Sequence, residues 1–295
     1  MRIKDAIEDR IIGVAVSSIL ILICLIIMYP LIFMVTASIS DPFTVASGQI
    51  WLFPKGITFD AYSRVFKNPD IMMGYGNTII YTVVGTLINV FLTMLTAYPL
   101  TRKDLKYRNI LSAVFAFTML FGGGMIPTYL IIKNVGLLNT IWAMLIPGAI
   151  SVWNLIIART YIQSNIPWEL QESAFLDGCG NFRLLIRIIT PLCMPIVAVL
   201  TLYYAVAHWN NYFSAMMYIT NKKLYPLQLI LREILIQNDT GSMMDSGSET
   251  MAKQSFLGET LKYAVIIVSS VPVLMLYPFL QKYFVKGVMV GAVKG

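Results

Sequence analysis

Charged residues are scarce in this chain and are absent from its longest apolar runs. Only 13% of the 295 residues are Asp, Glu, Lys or Arg, whereas 57% are hydrophobic. Soluble domains carry roughly 25% charged residues, so the composition excludes an ordinary globular protein and predicts an integral membrane protein. The mean hydropathy of +0.72 leads to the same conclusion.

Motifs for nucleotide, metal and covalent chemistry are missing as well. No Gly-x-x-x-x-Gly-Lys-Ser/Thr sequence is present, so the chain lacks the loop that cradles nucleotide phosphates. The single histidine, His208, has no second ligand at metal-binding spacing, and the three cysteines follow no metal or disulfide pattern. Gly178-Cys179-Gly180 begins like a dinucleotide fingerprint but lacks the third glycine. We therefore expect no catalytic residue, metal site or cofactor on this chain.

Six apolar runs are each near or above the length that crosses a hydrocarbon core. They cover residues 11–38, 75–100, 110–132, 141–158, 191–219 and 263–281. None contains Asp, Glu, Lys or Arg, whose cost at the bilayer centre is on the order of 3 kcal/mol. The sequence therefore predicts one membrane domain, residues 1–295, with six transmembrane helices and no soluble domain. The first run is too long for a typical signal peptide and is interpreted as a retained anchor.

Two rival functions need groups that these runs lack. A secondary transporter coupled to protons or sodium usually carries a carboxylate within the membrane, and none is present. A membrane-embedded hydrolase needs a nucleophile with a base or a metal, which the lone His208 does not provide. Both alternatives are disfavoured on these grounds.

The excess of basic residues indicates orientation. With the amino terminus inside, nearly all of the net charge of +7 lies on the segments that would face the cytoplasm. Cytoplasmic loops of membrane proteins are enriched in Lys and Arg, so we expect both termini and Cys179 inside and Asp245 outside. The basic balance requires no nucleic-acid partner.

Residues 163–190 form a polar segment between two apolar runs. Pro167 suits the start of a helix, and Glu169 and Glu172 near that end are favoured by the helix dipole. Gly178 offers the left-handed conformation that ends a helix at little cost. The segment is predicted to be a helix, a sharp turn and a second helix from about Asn181, which together we call the elbow.

The elbow resembles the EAA loop of ABC-importer permeases, the element that docks on the cytoplasmic ATPase. The matching positions are Glu172, Ala174, Asp177, Gly178, Pro191 and Pro195, and the departures are Ser173 and Cys179, where that family usually has alanine. The tail from Lys282 to Gly295 is similar to that of carbohydrate permeases of the maltose-transporter kind. Asn77-Thr78-Ile79, Ala97–Arg102 and Gly124–Tyr129 extend the resemblance over nearly the whole chain.

The resemblance implies an all-α membrane protein with the six-helix, MetI-like fold of a type I ABC importer permease. It implies a bacterial cell membrane location and a sugar or oligosaccharide substrate, although an importer for another solute stays open. The implied partners are a second permease subunit, expected to be a different chain, two ABC ATPase subunits and an extracytoplasmic solute-binding protein. ATP and Mg²⁺ would belong to the ATPase subunits.

The resemblance also assigns candidate functional residues. Those expected to couple to the ATPase are Glu172, Ser173, Ala174, Asp177, Gly178 and Pro191. Candidate tail contacts with the ATPase, in a segment 282–295 that could equally be a frayed terminus, are Lys286, Gly287, Gly291 and Lys294.

A further candidate set could line a sugar pathway, because aromatic faces stack on sugar rings and amides pair with hydroxyls. Its members are Trp209, Asn210, Asn211 and Tyr212. Hydrogen bonding between helices of the bundle is the favoured explanation of the same residues. The run Gly122-Gly123-Gly124 in the third span favours either a bend or close helix packing.

Overall fold

The computed structural model describes residues 7–244, 258–275 and 278, and these residues are helices joined by short turns. In chain order the helices are α1 (Ile7–Ser38), α2 (Pro42–Ala46), α3 (Asp60–Lys67), α4 (Pro69–Thr101), α5 (Arg108–Leu120), α6 (Met125–Asn134), α7 (Trp142–Leu145), α8 (Val152–Asn165), α9 (Trp168–Leu176), α10 (Asn181–Leu184), α11 (Thr190–Leu192), α12 (Met194–Trp209), α13 (Phe213–Tyr218), α14 (Leu227–Met244) and α15 (Gly258–Met275). A π-helical turn, Leu185–Ile189, joins α10 to α11, and a 3-10 turn, Lys222–Leu224, precedes α14.

The chain divides into two compact units, and the smaller comprises described residues up to Pro69 together with those from Leu231 to Val271. A small core around Ala37 and Val45 lies beneath the end of α1, where the rings of Phe33 and Tyr263 meet edge to face at 5.7 Å. Further back along α1, none of its most apolar 18-residue window is buried. An apolar helix surface of this kind suits contact with lipid or another membrane chain.

The larger unit, whose described residues run mainly from Asp70 to Ile230, is built on antiparallel packing of α4 against α12. Thr93 and Tyr204 share a hydrogen bond of 2.7 Å between their hydroxyls, and the Asn89 amide lies 3.1 Å from Nε2 of His208. Gly85 lets α4 approach the His208 ring closely. Small residues and polar pairs are the usual means of joining helices in a membrane, so His208 serves the bundle.

The first half of α4 is joined by hydrogen bonds to the segment before α14. The Asn77 amide donates to the carbonyls of Lys223 and Tyr225 at 2.8 and 3.0 Å. The Leu227 N–H donates to the Thr78 hydroxyl at 2.8 Å. These bonds satisfy backbone groups of a segment that has no regular structure of its own.

Three described helices are long and apolar enough to cross a membrane, namely Ile11–Ser38 within α1, α4, and α15. Two further helix pairs pass the same test together but are bent, and counting each pair as one span raises the total to five. An all-helical membrane fold is thus confirmed for the described residues. Six separate continuous spans are not found among them.

The predicted fourth span, residues 141–158, does not form one helix. It begins with the short α7, and the chain then breaks at Pro147 and at Gly148, whose φ of +74° is left-handed. The next helix, α8, starts at Val152 and continues to Asn165, beyond the predicted end. Proline lacks the N–H that a continuing helix needs, and glycine adopts this conformation cheaply. Hydropathy alone did not register the break.

The third predicted span is bent by 112° between α5 and α6. The bend occurs at Gly122-Gly123-Gly124, where Gly124 has a φ of +84° and its carbonyl accepts a 2.8 Å hydrogen bond from the Thr128 hydroxyl. Phe121 and the three glycines are exposed in this chain. The structure therefore favours the bend over close helix packing as the role of these glycines.

The predicted fifth span, residues 191–219, is likewise divided. Helix α12 ends at Trp209 and a short helix, α13, begins at Phe213, while the preceding helical segment Asn181–Leu192 meets α12 at 87°. The helix of the sixth predicted span already includes Gly258, before the predicted start at 263, and lies within the described residues as far as Met275. Helix α14 follows the predicted fifth span and continues to Met244.

The contact of Gly85 with His208 leads to a prediction. A Cβ added at Gly85 would lie less than 3.0 Å from three atoms of the His208 ring, whereas one added at Gly76 would meet nothing within 4 Å. Overpacking of this kind costs about 1–3 kcal/mol. We expect Gly85→Ala to lower the midpoint of thermal unfolding of the detergent-solubilised protein, and Gly76→Ala, on the same helix, to leave it unchanged. Equal midpoints for the two variants would contradict this packing.

Candidate functional site

The elbow contains the predicted helix, sharp turn and second helix. Helix α9 ends at Leu176, and Gly178 follows in the left-handed conformation with a φ of +75°. The Cys179 N–H donates to the Ala174 carbonyl at 2.9 Å, and the Gly178 N–H donates to the Phe175 carbonyl at 3.0 Å. This pair of bonds is the Schellman motif, which satisfies carbonyls that a helix end would leave without partners.

The six predicted coupling residues divide between the surface and the core of the elbow. Ala174 is buried, whereas the others are exposed, namely Glu172, Ser173, Asp177, Gly178 and Pro191. Glu172 accepts a 2.6 Å hydrogen bond from the Trp168 indole, and the Ser173 hydroxyl donates to the Glu169 carbonyl at 2.9 Å. One side of α9 thus packs inward through Ala174 while its acidic side faces outward.

Leu176 is the most exposed large apolar side chain of the elbow, with 90% of its surface accessible. It directly precedes the turn at Asp177 and Gly178, so it lies at the apex of the elbow. Leu176 is not among the coupling residues that were predicted from the sequence. Its direction could have been read from helical spacing, because a residue two positions after the inward-facing Ala174 lies on the opposite side of a helix.

A second omission is Arg102, which follows the end of α4. Its guanidinium donates to both carboxylate oxygens of Asp104, to the Tyr98 hydroxyl at 3.3 Å and to the side-chain oxygen of Asn181 in α10. It also lies over the Phe175 ring of α9, 4.6 Å from the ring centroid. One side chain therefore contacts both helices of the elbow, a role that was not predicted from the sequence.

The hydrogen bonds between Arg102 and Asp104 set the ionisation of both groups. They lower the pKa of the Asp104 carboxyl and raise the pKa of the Arg102 guanidinium. A carboxyl whose pKa is lowered in the folded state stabilises the fold above its usual pKa, and this contribution is lost as the pH falls through the lowered value. The pair is thus fully charged at neutral pH.

The second half of the elbow is held by the largest apolar core of the protein. Leu184, Leu185 and Ile189 are at most 4% exposed and belong to one cluster with residues from the C-terminal end of α4 and from α8. On the other side, the Lys103 ammonium lies 5.6 Å from the centroid of the Trp168 ring at the start of α9. The second half of the elbow is therefore buried in this core, whereas Leu176, Asp177 and Gly178 at its apex are exposed.

The candidate pathway residues are located at the end of α12. Trp209 is buried and its ring meets that of Tyr75 edge to face at 5.8 Å. The Asn210 amide donates to the Val206 carbonyl at 2.9 Å, and the Asn211 side-chain oxygen accepts from the Ser214 N–H at 3.2 Å. Tyr212 is exposed. Both amide side chains are hydrogen-bonded to backbone groups at helix ends, and their role in a sugar pathway stays a prediction.

The other site predictions concern chemistry and the tail. Among residues 7–244 and 258–275, no three His, Cys, Asp or Glu side chains are grouped as a metal would require. The candidate tail residues Lys286, Gly287, Gly291 and Lys294 lie outside the described residues, so their proposed contact stays a prediction.

Comparison with known proteins gives consistent matches over the whole chain. The profile of a family described as "Binding-protein-dependent transport system inner membrane component" matches residues 71–290. Protein LplC of Bacillus subtilis (strain 168) is 41% identical over 266 residues, covering 90% of this chain and 89% of that protein. The polygalacturonan/rhamnogalacturonan transport system permease protein YtcP of the same strain is 39% identical over 290 residues, covering 98% and 100%.

A solved structure shows the same fold. It is a chain of a bacterial ABC transporter involved in the import of the acidic polysaccharide alginate, with a TM-score of 0.86 and 33% sequence identity. The match covers 95% of this chain and 99% of that chain.

The turn of the elbow yields a prediction that a pair of glycines can test. Gly178 has a φ of +75°, whereas Gly180 is extended with a φ of −72°, and an added Cβ meets nothing within 4 Å at either position. An ordinary residue in the left-handed conformation costs about 1–2 kcal/mol. We expect Gly178→Ala to accelerate hydrogen exchange of the Cys179 amide by roughly 5–30-fold, whereas Gly180→Ala leaves it unchanged. Equal exchange rates in the two variants would show that the turn does not depend on Gly178.

Proposed function

We propose that this chain functions in solute transport. It belongs to the family of binding-protein-dependent transport system inner membrane components. It is a permease subunit of an ABC importer that carries a sugar or oligosaccharide across a bacterial cell membrane. The solute is delivered by an extracytoplasmic binding protein. Support comes from YtcP and from the alginate importer chain, which match this chain over at least 95% of its length.

The substrate class that fits best is an acidic oligosaccharide. The solved structure with a TM-score of 0.86 belongs to an importer of an acidic polysaccharide. The segments assigned to the outer side carry exposed lysines at Lys133, Lys222 and Lys223 but also exposed carboxylates at Asp60 and Asp70, so this substrate class rests on the likeness to that importer rather than on charge. An importer for a neutral sugar or for another solute is the alternative.

The observation that carries the mechanism is the shape of the elbow. Its base is buried in the main core, while Leu176 and Asp177 are exposed at its apex. An apolar side chain beside a carboxylate, raised on a rigid turn, suits insertion into a groove of a partner protein. We assign the apex to docking on a cytoplasmic ATPase, so that the elbow and both termini face the cytoplasm.

The chain itself performs no covalent chemistry in this mechanism. Two ATPase subunits bind ATP and Mg²⁺, and their closure displaces the elbow. A second permease subunit, a chain distinct from this one, completes the solute cavity. The contribution of this chain is a coupling free energy between the state of the ATPase and the side to which the cavity opens.

Reconstitution tests the function and its substrate class together. The complex with its partner permease and ATPase is placed in proteoliposomes with the loaded binding protein outside, and uptake of labelled acidic and neutral oligosaccharides of equal length is compared. We expect uptake that requires ATP and favours the acidic sugar. Uptake driven by a proton or sodium gradient without ATP would contradict the ABC importer assignment, and preference for the neutral sugar would contradict the substrate class.

Leu176 provides a test of the docking assignment. Truncating an exposed side chain that binds a partner costs about 1–3 kcal/mol of binding, so we expect Leu176→Ala to lower the amount of ATPase that co-purifies with the permease. Leu192→Ala is the matched control, because Leu192 is 52% exposed and lies beyond the elbow in α11. An unchanged yield of ATPase with Leu176→Ala would show that the apex of the elbow is not part of the docking surface.

A further inference from the structure

We propose that Arg102 is the positioning residue that links movement of the elbow to the membrane-spanning helix α4. This inference rests on the proposed function, because it concerns how the ATPase moves the permease. Arg102 follows Thr101, the last residue of α4, and its side chain is only 14% exposed. Its guanidinium contacts a residue of each elbow helix, Phe175 in α9 and Asn181 in α10.

The guanidinium is held in place before it reaches the elbow. Asp104 fixes one edge through two parallel hydrogen bonds, and the Tyr98 hydroxyl accepts a third from the α4 side. Arg108 donates to the Arg102 carbonyl at 3.1 Å, which also fixes the backbone of the turn. A planar group held at one edge in this way presents its remaining N–H and its face in a defined direction.

A cleft beside Arg102 makes the contacts of this side chain with the elbow important for transmitting displacement. A cleft of about 390 Å³ lies between the inner end of α4 and α10. Its walls are formed by Leu95, Tyr98, Pro99, Arg102, Asp104, Leu105, Asn181, Phe182 and Leu185. Closely packed side chains transmit displacement, but a cleft does not. At this cleft the charged side chain therefore adds a polar connection from α4 to both helices of the elbow, beside the apolar core that they share.

Two properties of the arrangement separate this role from simple stabilisation. The elbow is already held by the buried residues Leu184, Leu185 and Ile189, so it does not need Arg102 to remain folded. In addition, the contacts join parts of the chain that are 79 residues apart, from the inner end of a spanning helix to the segment that docks. Loss of Arg102 should therefore weaken the coupling of the elbow to α4, while the apolar core that they share keeps both in place.

The experiment measures how many solute molecules are transported for each ATP hydrolysed by the reconstituted complex. We expect Arg102→Gln to assemble with the ATPase and to lower this ratio by about tenfold, within the range of 5–150-fold that a typical coupling energy gives. Arg102→Lys should restore little, because lysine lacks the planar fork. Lys106→Gln is the matched control, since Lys106 is in the same turn and lies against Tyr107, 5.6 Å from the ring centroid.

A second pair of variants removes the contacts from the elbow side. Asn181→Ala and Phe175→Leu should each lower the ratio, and their effects should not add to that of Arg102→Gln, because residues that act through one contact are not independent. If Arg102→Gln fails to assemble, the Asn181→Ala variant decides the question alone.

The outcomes distinguish this inference from the proposed function. Absence of ATP-dependent uptake by the wild-type complex would overturn the function. Normal wild-type uptake with an unchanged ratio in Arg102→Gln, or in Asn181→Ala where the first does not assemble, would overturn only the linking role. A lower yield of complex with an unchanged ratio would identify Arg102 as a purely structural residue.

Discussion

Backbone N–H and C=O groups find no water in a hydrocarbon core, and this constraint governs the fold. Helix α4 obeys it by running unbroken over 33 residues. Where the chain does break, other groups supply the missing partners. At the start of α8, the N–H of Ser151 donates to the Tyr204 hydroxyl at 3.1 Å, and the same hydroxyl is hydrogen-bonded to the Thr93 hydroxyl of α4. One tyrosine of α12 thus stabilises a helix start and a helix pair. The bend at Gly122–Gly124 is exposed within this chain, so a partner chain or an aqueous cavity must supply its surroundings.

At the elbow, local and distant interactions have separate tasks. Its shape comes from hydrogen bonds within six residues, between Ala174 and Cys179, and would be the same on any scaffold. Its attachment depends on the core beneath Leu185 and on the charged contact from Arg102. This division suits an element that must be displaced as a unit. The turn can keep its own hydrogen bonds while its contacts with α4 transmit the displacement.

The same division explains what the sequence revealed. The end of α9 was predictable because a glycine two residues after the helix and the acidic residues before it are local signals. The family was recognisable for the same reason, from the spacing between Glu172 and Pro191. The contact between Arg102 and Asn181 was not predictable, because it joins residues 79 positions apart and leaves no periodic pattern. The broken fourth span was missed for another reason, since Pro147-Gly148 is a visible helix breaker that a hydropathy average over 18 residues conceals.

The π-helical turn from Leu185 to Ile189 bears on how this region tolerates changes in length. There the Thr190 N–H and hydroxyl both reach the carbonyl of Leu185, five residues back, so the turn holds one residue more than an α-helix would. Each residue of an α-helix turns the chain by about 100°. Removing one residue within α12 would therefore rotate every later residue of that helix out of register with its neighbours. Removing one within the π turn would instead restore the ordinary hydrogen-bond spacing and leave the helices on either side facing their present neighbours. The π turn in the second half of the elbow is thus a place where a related chain could be one residue shorter without repacking the bundle.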